Sequence, residues 1–310
     1  MPELPDITVY VERLADLLRG QPLGEIRLGS PFLLRTVTPP LEAFRGRVLR
    51  DVLRRGKRIV FVFPEEHFLA VHLMVAGRLH WKAPGAALPK SNGLMALDFP
   101  GGTVILTEAG TKRRAALHAV EGRDRLESLF PVGVEPLEAS LGEFAAALRR
   151  ESHTLKRSLT DPRIFSGIGN AYSDEILHRA KLSPVMLSGK LGDAQVEALY
   201  GATLEILGEW TQVLREEAKG GFPEKVTAFR KGMAVHGRYG EPCPVCQSPV
   251  QRIRYAENET DYCPTCQTGG RLLADRALSA LLRKDWPRSL EEMEKLLARH
   301  KTLGSGVSGE

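Results

Sequence analysis

Between residues 6 and 19 apolar side chains recur at three- and four-residue intervals (Ile7, Tyr10, Val11, Leu14, Leu17, Leu18). This predicts an amphipathic helix with Asp6 placed to cap it. From about residue 24 to 107 the period changes. Short apolar or alternating runs at 24–28, 48–53, 58–63, 68–73, 94–99 and 103–107, separated by Pro, Gly and charged residues, predict six or more strands of a sandwich or barrel. Helical spacing returns at 141–151, 154–159, 170–180 and 193–217. A basic, glycine-containing linker is expected at 219–238, followed by a cysteine module. The stretch 271–303 reads as helical, with Ser289 and Glu292 spaced as a capping box, and 304–310 as a disordered tail. There is no internal repeat. The expected organisation is α+β and multidomain: a β-rich N-terminal domain (1–135), a helical domain (136–235), the cysteine module (236–270) and a C-terminal helical extension (271–310).

Composition narrows the class. The chain has 310 residues with 43 Lys+Arg against 38 Asp+Glu, a net charge of +5, and its 43% hydrophobic and 26% charged fractions exclude a disordered or fibrous chain. No run of 18 apolar residues occurs, and the N-terminus has neither a basic n-region nor an apolar h-region. No membrane partner and no signal peptide are therefore expected. All four cysteines fall between 243 and 266, which argues against a disulfide framework and for a reducing, cytoplasmic setting.

Cys243-Pro244-Val245-Cys246, sixteen residues, then Cys263-Pro264-Thr265-Cys266 give two Cys-x-x-Cys knuckles at a spacing that suits four thiolates around one tetrahedral Zn²⁺. Four protein ligands leave no open position, so the zinc is expected to be structural. Between the knuckles, 250–255 alternates as a strand and Glu257-Asn258-Glu259-Thr260 reads as the turn of a hairpin. Lys219, Lys225, Arg230, Lys231 and Arg238 before the module, with Arg252 and Arg254 inside it, form a basic patch that favours nucleic acid over a protein partner.

Four stretches occur in an order that resembles the formamidopyrimidine-DNA glycosylase and endonuclease VIII family. They are Met1-Pro2-Glu3-Leu4-Pro5, Gly167-Ile168-Gly169-Asn170-Ala171-Tyr172, His236-Gly237-Arg238-Tyr239-Gly240-Glu241-Pro242-Cys243, and the cysteine module itself. The resemblance spans roughly residues 2–268. It implies an N-terminal helix plus antiparallel β-sandwich, a helix-two-turns-helix domain and a Cys₄ zinc-finger hairpin. It further implies binding of damaged or abasic double-stranded DNA in a cleft between two domains, with base excision and strand scission by a nucleoid-associated monomer. Removal of Met1 is expected before Pro2 and would leave a prolyl secondary amine. An α-amino group titrates near 7.7–8.0, so a useful fraction is nucleophilic at neutral pH. By the resemblance Pro2 is the nucleophile, Glu3 the acid/base and Lys57, just before the strand at 59–63, a catalytic clamp on a phosphate beside the lesion. Asn170, at a helix N-terminus, and Arg238 are implied phosphate contacts, and Lys156 is expected to join them in binding DNA.

The sequence also departs from the family. The family's His-Leu-Gly-Met-Ser-Gly reads His72-Leu73-Met74-Val75-Ala76-Gly77 here, so Met74 is one position early and Val75 occupies the wedge position. Met74 is expected either to wedge into the duplex or to sit in the core. The Arg-Phe pair of the family's next loop is absent from Glu108-Ala109-Gly110-Thr111-Lys112-Arg113-Arg114-Ala115. Asn258 replaces an arginine near the hairpin tip, with Glu257, Glu259 and Asp261 around it, which predicts a weakened phosphate contact. An oxidised or ring-opened purine is the expected substrate, with an oxidised pyrimidine or an abasic site alone left open by these departures. A lesion-specific DNA-binding protein with little excision is the alternative, and RNA binding through the finger alone leaves the N-terminal motif unexplained. Leu272, Leu273, Leu278, Leu281 and Leu282 are expected to pack back on the body, with a partner-docking helix as the alternative.

Overall fold

The computed structural model describes residues 1–310 except 111, 225, 227–229, 256–257, 275–286 and 305–310. The chain forms two compact units. One comprises 1–143, 161–169 and 207–228, the other 144–160, 170–206 and 229–310.

Helix α1 (Leu4–Leu18) begins two residues earlier than its apolar period suggests, because Asp6 serves three residues in rather than at the cap. Its carboxylate accepts the Glu3 N–H at 2.9 Å, one arm of a capping box. Strands β1 (Glu25–Leu28), β6 (Gly93–Phe99), β7 (Gly102–Glu108) and β5 (Gly77–Lys82) form one antiparallel sheet in that order. β2 (Asp51–Arg55), β3 (Arg58–Phe63), β4 (His67–His72) and β8 (Ala116–Glu121) form the second.

The expected run at 48–53 becomes a strand at 51–55. β5 and β8 escape the apolar-run reading because each carries polar or small residues at alternate positions, as in Gly77-Arg78-Leu79-His80-Trp81-Lys82. On β3, Ile59, Phe61 and Phe63 join the core between the sheets with Tyr10 and Leu14 of α1. Val60 faces the opposite side with Phe68, Ala70 and Val120, where α2 (Arg123–Leu129) covers it with Leu126. A sheet buried on both faces explains the unbroken apolar run.

The second unit is helical: α4 (Leu155–Thr160), α5 (Asn170–Arg179), most of α3 (Leu141–Arg149) and the first part of α6 (Asp193–Ala218), which continues into the first unit. α5 is buried although polar, with Ser173, Asp174, Glu175 and His178 all inside. Strands β9 (Gln251–Tyr255) and β10 (Asn258–Tyr262) pair in the cysteine module, ahead of α7 (Pro264–Thr268). Asn258, Glu259 and Thr260 are therefore strand residues, and the turn expected at 257–260 is corrected.

Described residues of the 219–238 segment are anchored by packing and by hydrogen bonds. Phe222 packs on Tyr10 at 5.6 Å between ring centroids, and Val226 joins the sandwich core. Further on, the Glu175 carboxylate takes the backbone N–H groups of Ala234, Val235 and His236 at 2.6–2.9 Å.

Of the C-terminal extension, Leu272 is buried, and Leu273 donates its N–H to the Tyr262 hydroxyl at 2.8 Å. Leu278, Leu281 and Leu282 lie outside the described residues, as do Lys225 of the basic run and all but Gly304 of the expected tail. α8 (Leu290–Gly304) starts at Ser289, whose Oγ accepts the Glu292 N–H at 3.2 Å, while the Glu292 carboxylate takes the N–H of Arg288. Among the described residues no helix is long and apolar enough to cross a membrane.

Candidate active site

In the first unit, the start of α1 carries Glu3 into a buried position, 2% exposed. Its Oε2 accepts the Gly169 N–H at 2.6 Å, and Leu4 donates its N–H to Gly167 O at 2.9 Å, so the 167–169 segment is laced to the amino terminus. Gly169 is required there by close approach: a Cβ would stand 2.5 Å from Glu3 Cδ and directly against Lys57 Nζ. The Glu3 carboxylate and the Lys57 ammonium thus share the space that this glycine leaves open.

Lys57 sits in the two-residue turn of the β2–β3 hairpin, closed by the Arg55–Arg58 pair, with Gly56 at φ +61°. Arg54 supports that turn. It donates to Gly56 O at 3.1 Å and pairs with Glu135, which also accepts the Ser166 hydroxyl. No local pattern in the sequence marks Arg54, Glu135 and Ser166, because residues 54, 135 and 166 meet only in the folded chain.

Pro2 is buried beside this cluster in sequence, with Met1 half-buried ahead of it. The terminal ammonium of Met1 is held below its ordinary value, first by burial, with Glu3 opposing and the cations Arg78 and Lys57 adding to the shift. The free amine form is thereby favoured at the chain terminus. In the encoded chain Pro2 nitrogen is an amide, and only removal of Met1 would transfer the amine to it.

His72 closes β4 at this end of the sheet. Burial lowers its pKa to about 4, with Arg58 and Lys57 contributing, and its Nδ1 accepts the Met74 N–H at 3.1 Å. A folded-state pKa below the ordinary 6.5 means that the unfolded chain binds the proton more tightly. The stabilisation from neutral His72 is complete above about pH 6.5 and is lost as pH falls toward 4, a change of about 3 kcal/mol at 1.36 kcal/mol per unit. Urea titrations between pH 4 and 7 should give His72→Asn a flatter profile than the wild type over that window. Parallel profiles would refute the assignment.

The β4–β5 turn settles where its apolar residues lie. Met74 adopts φ +52° and is half-buried, outside the core, while Val75 at the neighbouring position is 56% exposed. The core alternative for Met74 is corrected.

The second unit holds the other expected residues. Asn170 opens α5, at the end of the helix whose dipole favours an anion. Lys156 Nζ donates to Asn170 O at 2.7 Å and to Asp174 at 2.5 Å, so its ammonium braces the start of α5. Asp174 in turn meets His236 Nδ1 at 2.8 Å. The Arg238 guanidinium pairs with Glu241 and lies over the carbonyls of Met233, Ala234 and Pro242 at 3.2–3.3 Å. It organises its own loop as the chain stands.

The four cysteine sulfurs lie within 4.8 Å of one another, with Cys246–Cys263 at 3.3 Å and Cys243–Cys266 at 3.9 Å. Thiolates around a tetrahedral zinc at about 2.3 Å would be about 3.8 Å apart, so the set fits one structural Zn²⁺. Burial and the crowding of thiols push Cys263 up to about 11, a cost that a cation removes. His178 Nε2 lies 3.3 Å from Cys243 Sγ as an outer support. Of the acids near the hairpin, Glu257 lies outside the described residues, and the other two are drawn into ion pairs. Asp261 is buried and takes Arg252 at 2.7 Å and the Gly237 N–H at 2.7 Å, and Glu259 pairs with Arg252 and Arg254. The charge of Glu259 and Asp261 is thus balanced within the hairpin. Asp174, His236 and Asp261 also cluster, but Lys156 and Arg252 already meet their charge.

Comparison with known proteins identifies the family and the fold. The formamidopyrimidine-DNA glycosylase N-terminal domain matches residues 1–114, the formamidopyrimidine-DNA glycosylase H2TH domain residues 132–216, and the zinc finger found in FPG and IleRS residues 240–269. The formamidopyrimidine-DNA glycosylase of Thermus thermophilus is 32% identical over 281 residues, covering 87% of this chain and all of the relative. An uncharacterized formamidopyrimidine-DNA glycosylase-like protein of Mycobacterium tuberculosis is 43% identical over 152 residues, 49% of this chain and 94% of that one. The crystal structure of MutM (FPG) from Thermus thermophilus superposes with a TM-score of 0.73 at 31% identity, over 86% of this chain and 98% of that one. A Lactococcus lactis Fpg complex with abasic-site DNA shares the fold at 24% identity and a TM-score of 0.76, covering 86% and 99%.

Proposed function

Because this chain belongs to the formamidopyrimidine-DNA glycosylase family, whose members are DNA glycosylases with abasic-site lyase activity, we propose that it excises an oxidised or ring-opened purine from duplex DNA and cleaves the resulting abasic site through a Schiff base at Pro2. The observation that carries the reading is the meeting of the Glu3 carboxylate and Lys57 ammonium around Gly169, beside the chain's amino terminus.

The chemistry follows from those groups. After removal of Met1, the Pro2 amine forms a bond to the sugar C1′ as the C1′–N bond to the base breaks, and the base departs with that bond's electron pair and takes up the proton that the Pro2 nitrogen loses. Glu3 protonates the sugar ring oxygen, which opens the ring to an iminium on Pro2. The iminium acidifies the 2′ proton. Loss of that proton to a base leaves a C2′–C3′ double bond conjugated to the iminium and breaks the C3′–O bond, releasing the 3′ phosphate. Lys57 faces that phosphate as a point charge, and Asn170, at a helix N-terminus, and Arg238 take neighbouring backbone phosphates. The accessible apolar side chain at the β4–β5 turn is Val75 rather than Met74, which supports Val75 as the group entering the duplex.

Borohydride trapping on a duplex with one abasic site tests the reading. Protein shown by mass to lack Met1 should form a covalent adduct, and intact duplex should not. Pro2→Gly retaining the full adduct yield would overturn the Pro2 assignment. No adduct with the wild type, together with tight binding to the lesion, would favour the binding-protein alternative.

A further inference from the structure

Strand register gathers several loops of the sandwich unit at one end. Arg58 pairs with His72, and His72 with Ala116, so the Lys57 turn, the β4–β5 turn and the start of β8 are level with one another. In the other sheet Gly77 pairs with Glu108. The loop 109–115 therefore leaves beside one end of the β4–β5 turn and returns beside the other. The buried Glu108 carboxylate shapes it, accepting the N–H groups of Arg114 and Ala115 at 2.9–3.0 Å. With that acid spent on backbone, Lys112, Arg113 and Arg114 are exposed, and among the described residues none has a carboxylate partner within salt-bridge distance.

A further segment joins this rim. Leu34 bridges Leu117 in parallel, Arg35 donates its N–H to Leu117 O at 2.9 Å, and Thr36 Oγ1 accepts the Ala119 N–H at 2.8 Å. Because the pairing is parallel, residues before Leu34 run toward the same end as the loop before Leu117. Phe32 lies there with 82% of its surface exposed, although Leu33 beside it is buried. From β3, which carries the Lys57 turn, to this segment is three strand spacings, about 14 Å. That is too far for contact with a nucleotide held at Lys57 and comparable with the roughly 12 Å width of a major groove.

We propose that Phe32, with Arg35 and the Lys112–Arg114 cations around it, is a contact surface for the strand opposite the lesion, the ring stacking on an exposed base and the cations meeting its phosphates. This rests on the DNA substrate proposed above. An aromatic ring already in water loses little on stacking, and the surrounding charge is complementary to a polyanion.

Affinity measured by fluorescence anisotropy for an abasic-site duplex and for the same abasic strand alone tests the proposal. Phe32→Ala should weaken duplex binding about 5- to 150-fold, the range for loss of one stacked base, and change single-strand binding less than twofold. Phe32→Trp should retain duplex affinity. Duplex affinity unchanged within twofold, or an equal loss on both substrates, would overturn it. Borohydride adducts at saturating protein separate this from the chemistry. Adducts from wild type and Phe32→Ala alike leave the proposed function standing whatever happens to affinity, whereas a wild type without DNA binding or adduct removes both.

Discussion

Glu3→Gln should lower base excision by about 10²- to 10⁴-fold, the usual contribution of a positioned general acid, equivalent to about 3–5 kcal/mol of barrier. The substitution is close to isosteric, and its amide oxygen can still accept the Gly169 N–H that Oε2 accepts at 2.6 Å. The capping box uses the Glu3 backbone N–H, which the change leaves alone, and the Glu3 side chain as acceptor of the Asp6 N–H, a role the amide oxygen of Gln can also fill. Folding should therefore be preserved, and single-turnover excision with unchanged thermal unfolding is the appropriate measurement. The amide cannot give up a proton to the sugar oxygen or relay one during elimination. Excision retained within tenfold would show that Glu3 merely fastens the 167–169 segment to the amino terminus.

Loss of zinc should have the larger structural effect. Among the described residues the apolar cluster around the sulfurs consists of Val235 and Val250 with the cysteines themselves, so the metal stands at the centre of a very small core. In isolated zinc fingers binding of the ion contributes about 10–16 kcal/mol, most of it folding free energy. Elemental analysis should find one zinc per chain, and a strong chelator should unfold the 240–270 module. Asp261 would then release Gly237 and Arg252, and the loop carrying Arg238 would lose that support. DNA affinity should fall at least tenfold and return when zinc is restored. Undiminished affinity after verified metal loss would remove the finger and the Arg238 loop from the binding surface.

What could be read from the chain alone was whatever is local. Cysteine spacing names its ligand set because two short knuckles need only their own turns to present four thiolates. The Pro2-Glu3 terminus and the Gly167–Tyr172 stretch carry their meaning in consecutive residues, and the runs at 58–63 and 94–99 declare strands because both faces are buried. Where alternate positions are polar or small, as in β5 and β8, that signal fades and pairing partners supply the stability instead.

Contacts across the sequence were decided only by the fold. Glu3 reaches the Gly169 amide 166 residues away, and Arg54, Glu135 and Ser166 meet under the Lys57 turn. No local pattern encodes such a meeting, since it is set by how strands register. The acids of the finger make the same point in charge. In sequence Glu259 and Asp261 read as a penalty beside phosphate, yet β9–β10 pairing sets Glu259 opposite Arg254 and Asp261 opposite Arg252. Cross-strand pairing turns apparent repulsion into internal ion pairs, because a carboxylate's effect on a phosphate depends on what neutralises it first.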